Sequence, residues 1–120
     1  MSKAALDRIG ELLVKQVRDP SIDDIRNVLL GQTGGDDAEA VRKALAGVEA
    51  EALARFVAVI PELVDQVVHN LCVMLEEDED LDLVLKTSAG DVAACEESDG
   101  LAGELYGENG WLAQFGAKRT

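Results

Sequence analysis

The stretch PELVDQVVHNLCVMLEE, residues 61–77, decides the fold. Val64, Val67, Leu71 and Met74 recur at three-four-three spacing, with Val68, Cys72 and Leu75 beside them, so a helix from Glu62 to Glu77 carries apolar side chains over a wide arc. An arc that wide predicts a central, largely buried helix. Two heptads are too few for a coiled coil, and the breadth of the face suits a globular bundle. Pro61 fits the first turn of such a helix, where its missing N–H costs nothing.

Upstream, Leu6, Ile9, Leu12, Leu13 and Val17 alternate with charged residues at helical spacing and predict an amphipathic helix over 4–17. Asp19-Pro20 is expected to end it, because the residue before proline avoids the helical region. Ser21 then offers an N-cap to a short second helix burying Ile22, Ile25 and Leu29, which Gly31-Gln32-Thr33-Gly34-Gly35 closes. Asp36 or Asp37 can cap a third helix through Ala46, using Ala40, Val41, Ala44 and Leu45, with Gly47 at its end. A fourth, over 48–59, is expected to bury Leu53, Phe56, Val57 and Ile60.

Downstream of the acidic run Glu76-Glu77-Asp78-Glu79-Asp80 the period changes to 2. Leu81, Leu83 and Leu85 alternate with Asp82, Val84 and Lys86, Ser88-Ala89-Gly90 turns the chain, and 91–95 can return as a partner strand. Ser98 or Asp99 can cap a short helix to Tyr106, and Asn109-Gly110 is a turn signal ahead of Trp111 to Phe115, which fits strand or helix. The fold class is therefore mainly α, about five helices in a compact bundle with a small C-terminal β-hairpin; an all-α chain is the alternative. The 120 residues form one domain, helical over 1–77 and of α/β type over 78–120.

Charge is distributed unevenly. Residues 61–120 hold 14 acidic side chains against three basic ones, whereas residues 1–60 hold 10 against eight, so most of the net charge of −13 lies in the second half. Together with a pI near 4.3, this argues against nucleic acid and anionic membrane as partners. Cys72 and Cys95 sit in apolar contexts and read as packed thiols in a reducing compartment. The N-terminal residues meet charge before a signal-peptide core develops, and no uninterrupted apolar run approaches membrane-spanning length, which makes cytoplasmic the expected localisation.

No constellation compels a chemistry. Asp78, Asp80 and Asp82 have the spacing of the first calcium-loop ligands, but Leu83 stands where the loop needs glycine and Ala89 where it needs glutamate. His69, one turn from Cys72, belongs to too thin a ligand set for zinc and reads as a histidine at a core edge. Cys72 on a buried face is a poor nucleophile, and the glycines at 100, 103, 107 and 110 match no phosphate loop. No catalytic residue, metal ligand or cofactor is assigned.

The residues from Ile60-Pro61-Glu62-Leu63-Val64-Asp65 through His69 to Glu76-Glu77, followed by Ser98-Asp99-Gly100-Leu101-Ala102-Gly103-Glu104-Leu105 and Gly110-Trp111, resemble a group of small uncharacterised bacterial proteins. Val17-Arg18-Asp19 is similar to their N-terminal part. The group carries no established activity, so the resemblance implies no site.

The leading functional expectation is a small acidic binding protein, of inhibitor, immunity or adaptor type, engaging a basic protein partner. Its candidate residues are Glu76, Glu77, Asp78, Glu79, Asp80 and Asp82, with Asp99, Glu104, Tyr106 and Trp111 beyond them, the two aromatics as anchors. One alternative is a small-ligand protein or hydrolase-like enzyme using Asp99, Glu104, His69 and Trp111 around a pocket. Another is a homo-oligomeric structural protein.

Overall fold

A computed structural model describes residues 2–117. Its first element is a continuous helical rod made of α1 (Ser2–Leu13), a π-helical turn (Val14–Arg18) and α2 (Asp19–Leu29). The sequence expectation that Asp19-Pro20 ends the helix is thus corrected. The π turn carries the chain through: the Asp19 N–H donates to the carbonyl of Val14, five residues back, one position before the proline that has no N–H to give. The extra residue also rotates the inward face. Leu6, Ile9, Leu13 and Val14 are followed inward by Arg18 and Ile22, while Val17, expected inside, is 45% exposed.

Arg18 is consequently the one charged side chain buried among the described residues. Its Nε donates to Asp65 Oδ1 at 2.7 Å, its Nη2 to Asp65 Oδ2 at 3.3 Å and its Nη1 to Asp19 Oδ1 at 2.9 Å. Burial pulls its pKa down, but hydrogen bonds and charge from Asp65 and Asp19 outweigh it and leave the guanidinium above its ordinary value. Asp19 Oδ2 in turn accepts from the N–H of Ala117, so one cluster around Arg18 ties the rod to the long helix and to the C-terminal segment.

After α3 (Asp36–Ala44), whose buried residue is Ala38, the chain enters α4, Ala50–Glu77, 28 residues without a break. The separate helices expected on either side of Pro61 are one. Val57, Ile60, Val64, Val68, Leu71, Cys72 and Leu75 form a single inward face running through the proline, and its burial outweighs the missing hydrogen bond. The expectation of a largely buried helix, with Val67 and Met74 on its covered arc, is corrected as well. Phe56, Leu63, Val67 and Met74 lie on the outer side.

A hairpin follows, β1 (Val84–Thr87) against β2 (Gly90–Ala93), in antiparallel register with Leu85 opposite Val92 and Lys86 opposite Asp91. Gly90 closes its turn at φ 124°, a conformation that suits glycine. The strands are shorter than the alternation of leucines implied, since Ala94 opens α5 (Ala94–Glu97). The segment expected as a helix ending at Tyr106 is a 3₁₀ turn, Leu101–Leu105, and Trp111–Phe115 is helical, α6. The result is mainly α with a small hairpin, drawn out to 54 × 29 × 25 Å. The core joins α1, the inner face of α4, Ala94, the 3₁₀ turn and Trp111.

Candidate functional site

Three hydrogen bonds gather the second half of the chain at the C-terminal end of α4. Asp82 accepts the N–H of Cys95 at 3.0 Å, in the first turn of α5. Cys95 Sγ donates to the carbonyl of Leu75 at 3.2 Å. The carboxylate of Glu76 accepts the N–H of Ala102 at the start of the 3₁₀ turn. These contacts bring Glu96, Glu97 and Asp99 toward the helix end that already carries Glu77, Asp78, Glu79 and Asp80.

The six residues of the candidate acidic run therefore divide. Glu76 and Asp82 act as caps for backbone N–H groups far away in sequence, and Asp78 accepts from the N–H of Asp80 at 2.8 Å to hold the turn that leaves α4. Glu77, Glu79 and Asp80, with Glu96, Glu97 and Asp99, are exposed, and their side chains make no hydrogen bond or ion pair among the described residues. The lysine of this region, Lys86, faces Asp91 across the hairpin. Uncompensated carboxylates on neighbouring segments project a negative field into solvent.

The residues weighed for an enzyme do not converge. Trp111 is 1% exposed and lies against Gly10 of α1, with its Nε1 donating to Asp7 Oδ1 at 3.3 Å. It is spent on the core and is no surface anchor. Glu104 is half-buried on the 3₁₀ turn and Asp99 is exposed, whereas His69 on α4 shares a 2.8 Å hydrogen bond between its Nδ1 and the Tyr106 hydroxyl. Tyr106 is half-exposed, and its pKa is raised by burial first and then by the charges of Asp65 and Cys72. His69 thus occupies a core edge with a hydrogen-bond partner, as its lone position on α4 suggested.

Both thiols are free, and both are pushed up to about 11: Cys72 by burial and then by Glu76, Cys95 by burial and then by its contact with Asp82. Thiols so raised are inert near neutrality. No three His, Cys, Asp or Glu side chains among the described residues are grouped to hold a metal ion.

Sequence reasoning missed the outer stripe of α4. Phe56, Val59, Leu63, Val67 and Met74 follow one another at spacings of three, four, four and seven, and all remain in contact with solvent. Beside the stripe a shallow open depression of about 450 Å³ is lined by Asn70, Val73, Met74, Glu77 and Asp78, all from α4 and the turn after it. Helical spacing reported both faces of α4 as apolar, and nothing local distinguished the covered from the uncovered one. By length and composition α4 is also able to cross a bilayer, although Glu51, Arg55, Glu62 and Asp65 interrupt its apolar runs; core helices pass the same test. Its Asp65 is paired with buried Arg18 and its Glu76 caps the 3₁₀ turn, roles that belong to a packed helix.

No protein-family model, curated protein or solved structure matches the chain.

Proposed function

We propose that this chain is a small cytoplasmic binding protein whose acidic end, at the C-terminus of α4, engages a basic surface on a protein partner. The observation that carries the reading is that Cys95 and Ala102, which flank the exposed Glu96, Glu97 and Asp99 in sequence, are hydrogen-bonded to the C-terminal end of α4 and the turn after it, where Glu77, Glu79 and Asp80 are exposed. Such a field speeds encounter with cationic surfaces and disfavours anionic ones, so phosphate backbones and phosphorylated ligands are poor candidates. The enzyme alternative is set aside because Trp111 lies in the core and His69 is hydrogen-bonded to Tyr106.

The test uses a variant with Glu79→Gln, Asp80→Asn, Glu96→Gln and Glu97→Gln, which leaves every capping carboxylate in place. A partner is captured from source lysate at low salt, identified, and its association followed by stopped flow at two ionic strengths. The variant is expected to associate about tenfold more slowly at low salt and to show a flatter salt dependence. An unchanged rate and slope would assign these carboxylates to solubility.

A further inference from the structure

Phe56, Val59, Leu63, Val67 and Met74 are 46, 48, 62, 69 and 44% exposed on one stripe of α4. Together they leave on the order of 500 Å² of apolar side chain in water, at the upper end of what one patch on a monomer shows. Two copies burying the stripe remove about 1,000 Å² through these residues alone, and the adjoining Gln66 and Asn70 carry the contact into the range of a specific interface.

We propose that the stripe is a homodimer interface in which α4 packs antiparallel against α4 of a second copy, about a two-fold axis level with residue 65. In that sense of pairing the stripe is complementary to itself. Leu63 and Val67 lie two residues on either side of position 65, and Phe56 and Met74 nine on either side, so each copy sets Leu63 opposite Val67 and Phe56 opposite Met74 of the other. The last pair is an aromatic ring against a thioether, a favourable contact.

Charge selects the same arrangement. The exposed Arg55, near the N-terminal end of the stripe and ion-paired with Glu51 in the single chain, comes within two residues, about 3 Å along the axis, of Glu77 of the second copy, on the same flank of the helix pair. The uncompensated acidic ends fall about 40 Å apart, several Debye lengths, because a 28-residue helix separates them. A parallel pair would stack those ends on each other. The interface does not depend on the partner reading above, since it leaves Glu79, Asp80, Glu96 and Glu97 in solvent at both ends.

Sedimentation equilibrium of the full chain from about 1 to about 200 µM, the range of affinities for an interface of this size, tests the proposal. Twice 12.8 kDa is expected. The pair Leu63→Glu and Val67→Glu raises the dissociation constant by about 100-fold or more with the circular dichroism melt of the monomer retained. Arg55→Glu alone weakens dimerisation about fivefold, and adding Glu77→Arg restores it to within about twofold, a rescue that misfolding cannot imitate. A chain monomeric throughout that range overturns the proposal, as does a monomer that co-sediments with anionic lipid vesicles. A dimer indifferent to Leu63 and Val67, or a charge reversal without rescue, overturns it equally.

Discussion

Gly10→Ala places the structure and local propensity in direct opposition. Gly10 lies inside α1 and φ is not the constraint, so helix propensity alone predicts that alanine stabilises the chain by about 1 kcal/mol. The packing predicts the reverse. A Cβ built on Gly10 falls closer than 3.0 Å to Cγ, Cδ2 and Cε2 of the Trp111 indole. Ordinary carbon contacts lie at about 3.5 to 4.0 Å, so the ring has to retreat by an ångström or so.

Retreat is costly because Trp111 is 1% exposed, packs in the core and holds Asp7 through Nε1. Overpacking of this kind costs about 1–3 kcal/mol, here at the upper end since the obstructed group is a rigid bicycle and not a flexible chain tip. Subtracting the propensity gain leaves a net loss of about 2 kcal/mol. Urea unfolding followed by fluorescence reports directly, because Trp111 is the sole tryptophan. The midpoint should fall with the slope unchanged and the native emission should shift to the red, and in a Trp111→Leu background, followed by circular dichroism because no tryptophan remains, Gly10→Ala should cost less than it does in the parent. A Gly10→Ala protein as stable as the parent, with unaltered emission, refutes the contact between α1 and α6.

Removing Arg18 by Arg18→Ala leaves Asp65 facing a buried gap and should cost about 3–5 kcal/mol in a thermal or urea melt, while Arg18→Met with Asp65→Leu should recover most of it. Equal losses in the single and double variants would show that the ion pair is not the reason. Both thiols rise from 9.0 to about 11 on folding, so between these values the unfolded chain releases protons that the native one keeps. The thiols' contribution to stability is therefore full below pH 9 and is lost as pH climbs toward 11, and at pH 8 a thiol reagent should label the native protein about 100-fold more slowly than the urea-unfolded one. Rapid native labelling would contradict the burial of Cys72 in particular. Glu76→Ala and Asp82→Ala should each cost about 1–2 kcal/mol as lost caps, whereas Glu79→Ala and Asp80→Ala should leave the melt within about 0.5 kcal/mol of the parent; four equal effects would erase the division between structural and free carboxylates.

The helices and the hairpin were legible because their signals are local. The apolar spacing of Leu6, Ile9 and Leu13, the acidic start at Asp36, and the alternation ending at Ser88-Ala89-Gly90 all describe the chain's own preferences. Both prolines were misread for one reason. A local rule prices the lost N–H of Pro20 and Pro61 but cannot price what lies on either side of it: the ion pair of Arg18 with Asp65 in the first case, an inward face continuous from Val57 to Leu75 in the second. The π turn compounds this by advancing the inward face one residue, which is why Arg18 and not Val17 points at α4. The acidic site was legible as composition, not as geometry. That Glu76 would cap Ala102 and Asp82 would cap Cys95 depends on contacts spanning 26 and 13 residues, beyond any motif.

The apolar arc of α4 was correctly seen as wide, and its width carries more than the inference of burial first drawn from it. A helix of 28 residues is about 42 Å long. Within this chain α2 packs along it, the 3₁₀ turn covers part of its length, and the π turn touches it at Asp65; α1 packs against α5 and α6, and α6 also against the π turn and the 3₁₀ turn. The cover falls on one side only. Ile60, Val64, Val68, Cys72 and Leu75 are buried beneath it, and the five side chains of the outer stripe are not. A sequence that needed only the inner face would place charged residues on the outer one, as α1 and the π turn do with Lys3, Arg8, Glu11 and Lys15 on their own outer surface. Maintaining Phe, Val, Leu, Val and Met there instead, with the amides Gln66 and Asn70 between them and the charges Arg55 and Glu77 at the two ends, is the pattern of a surface built to be covered by another body.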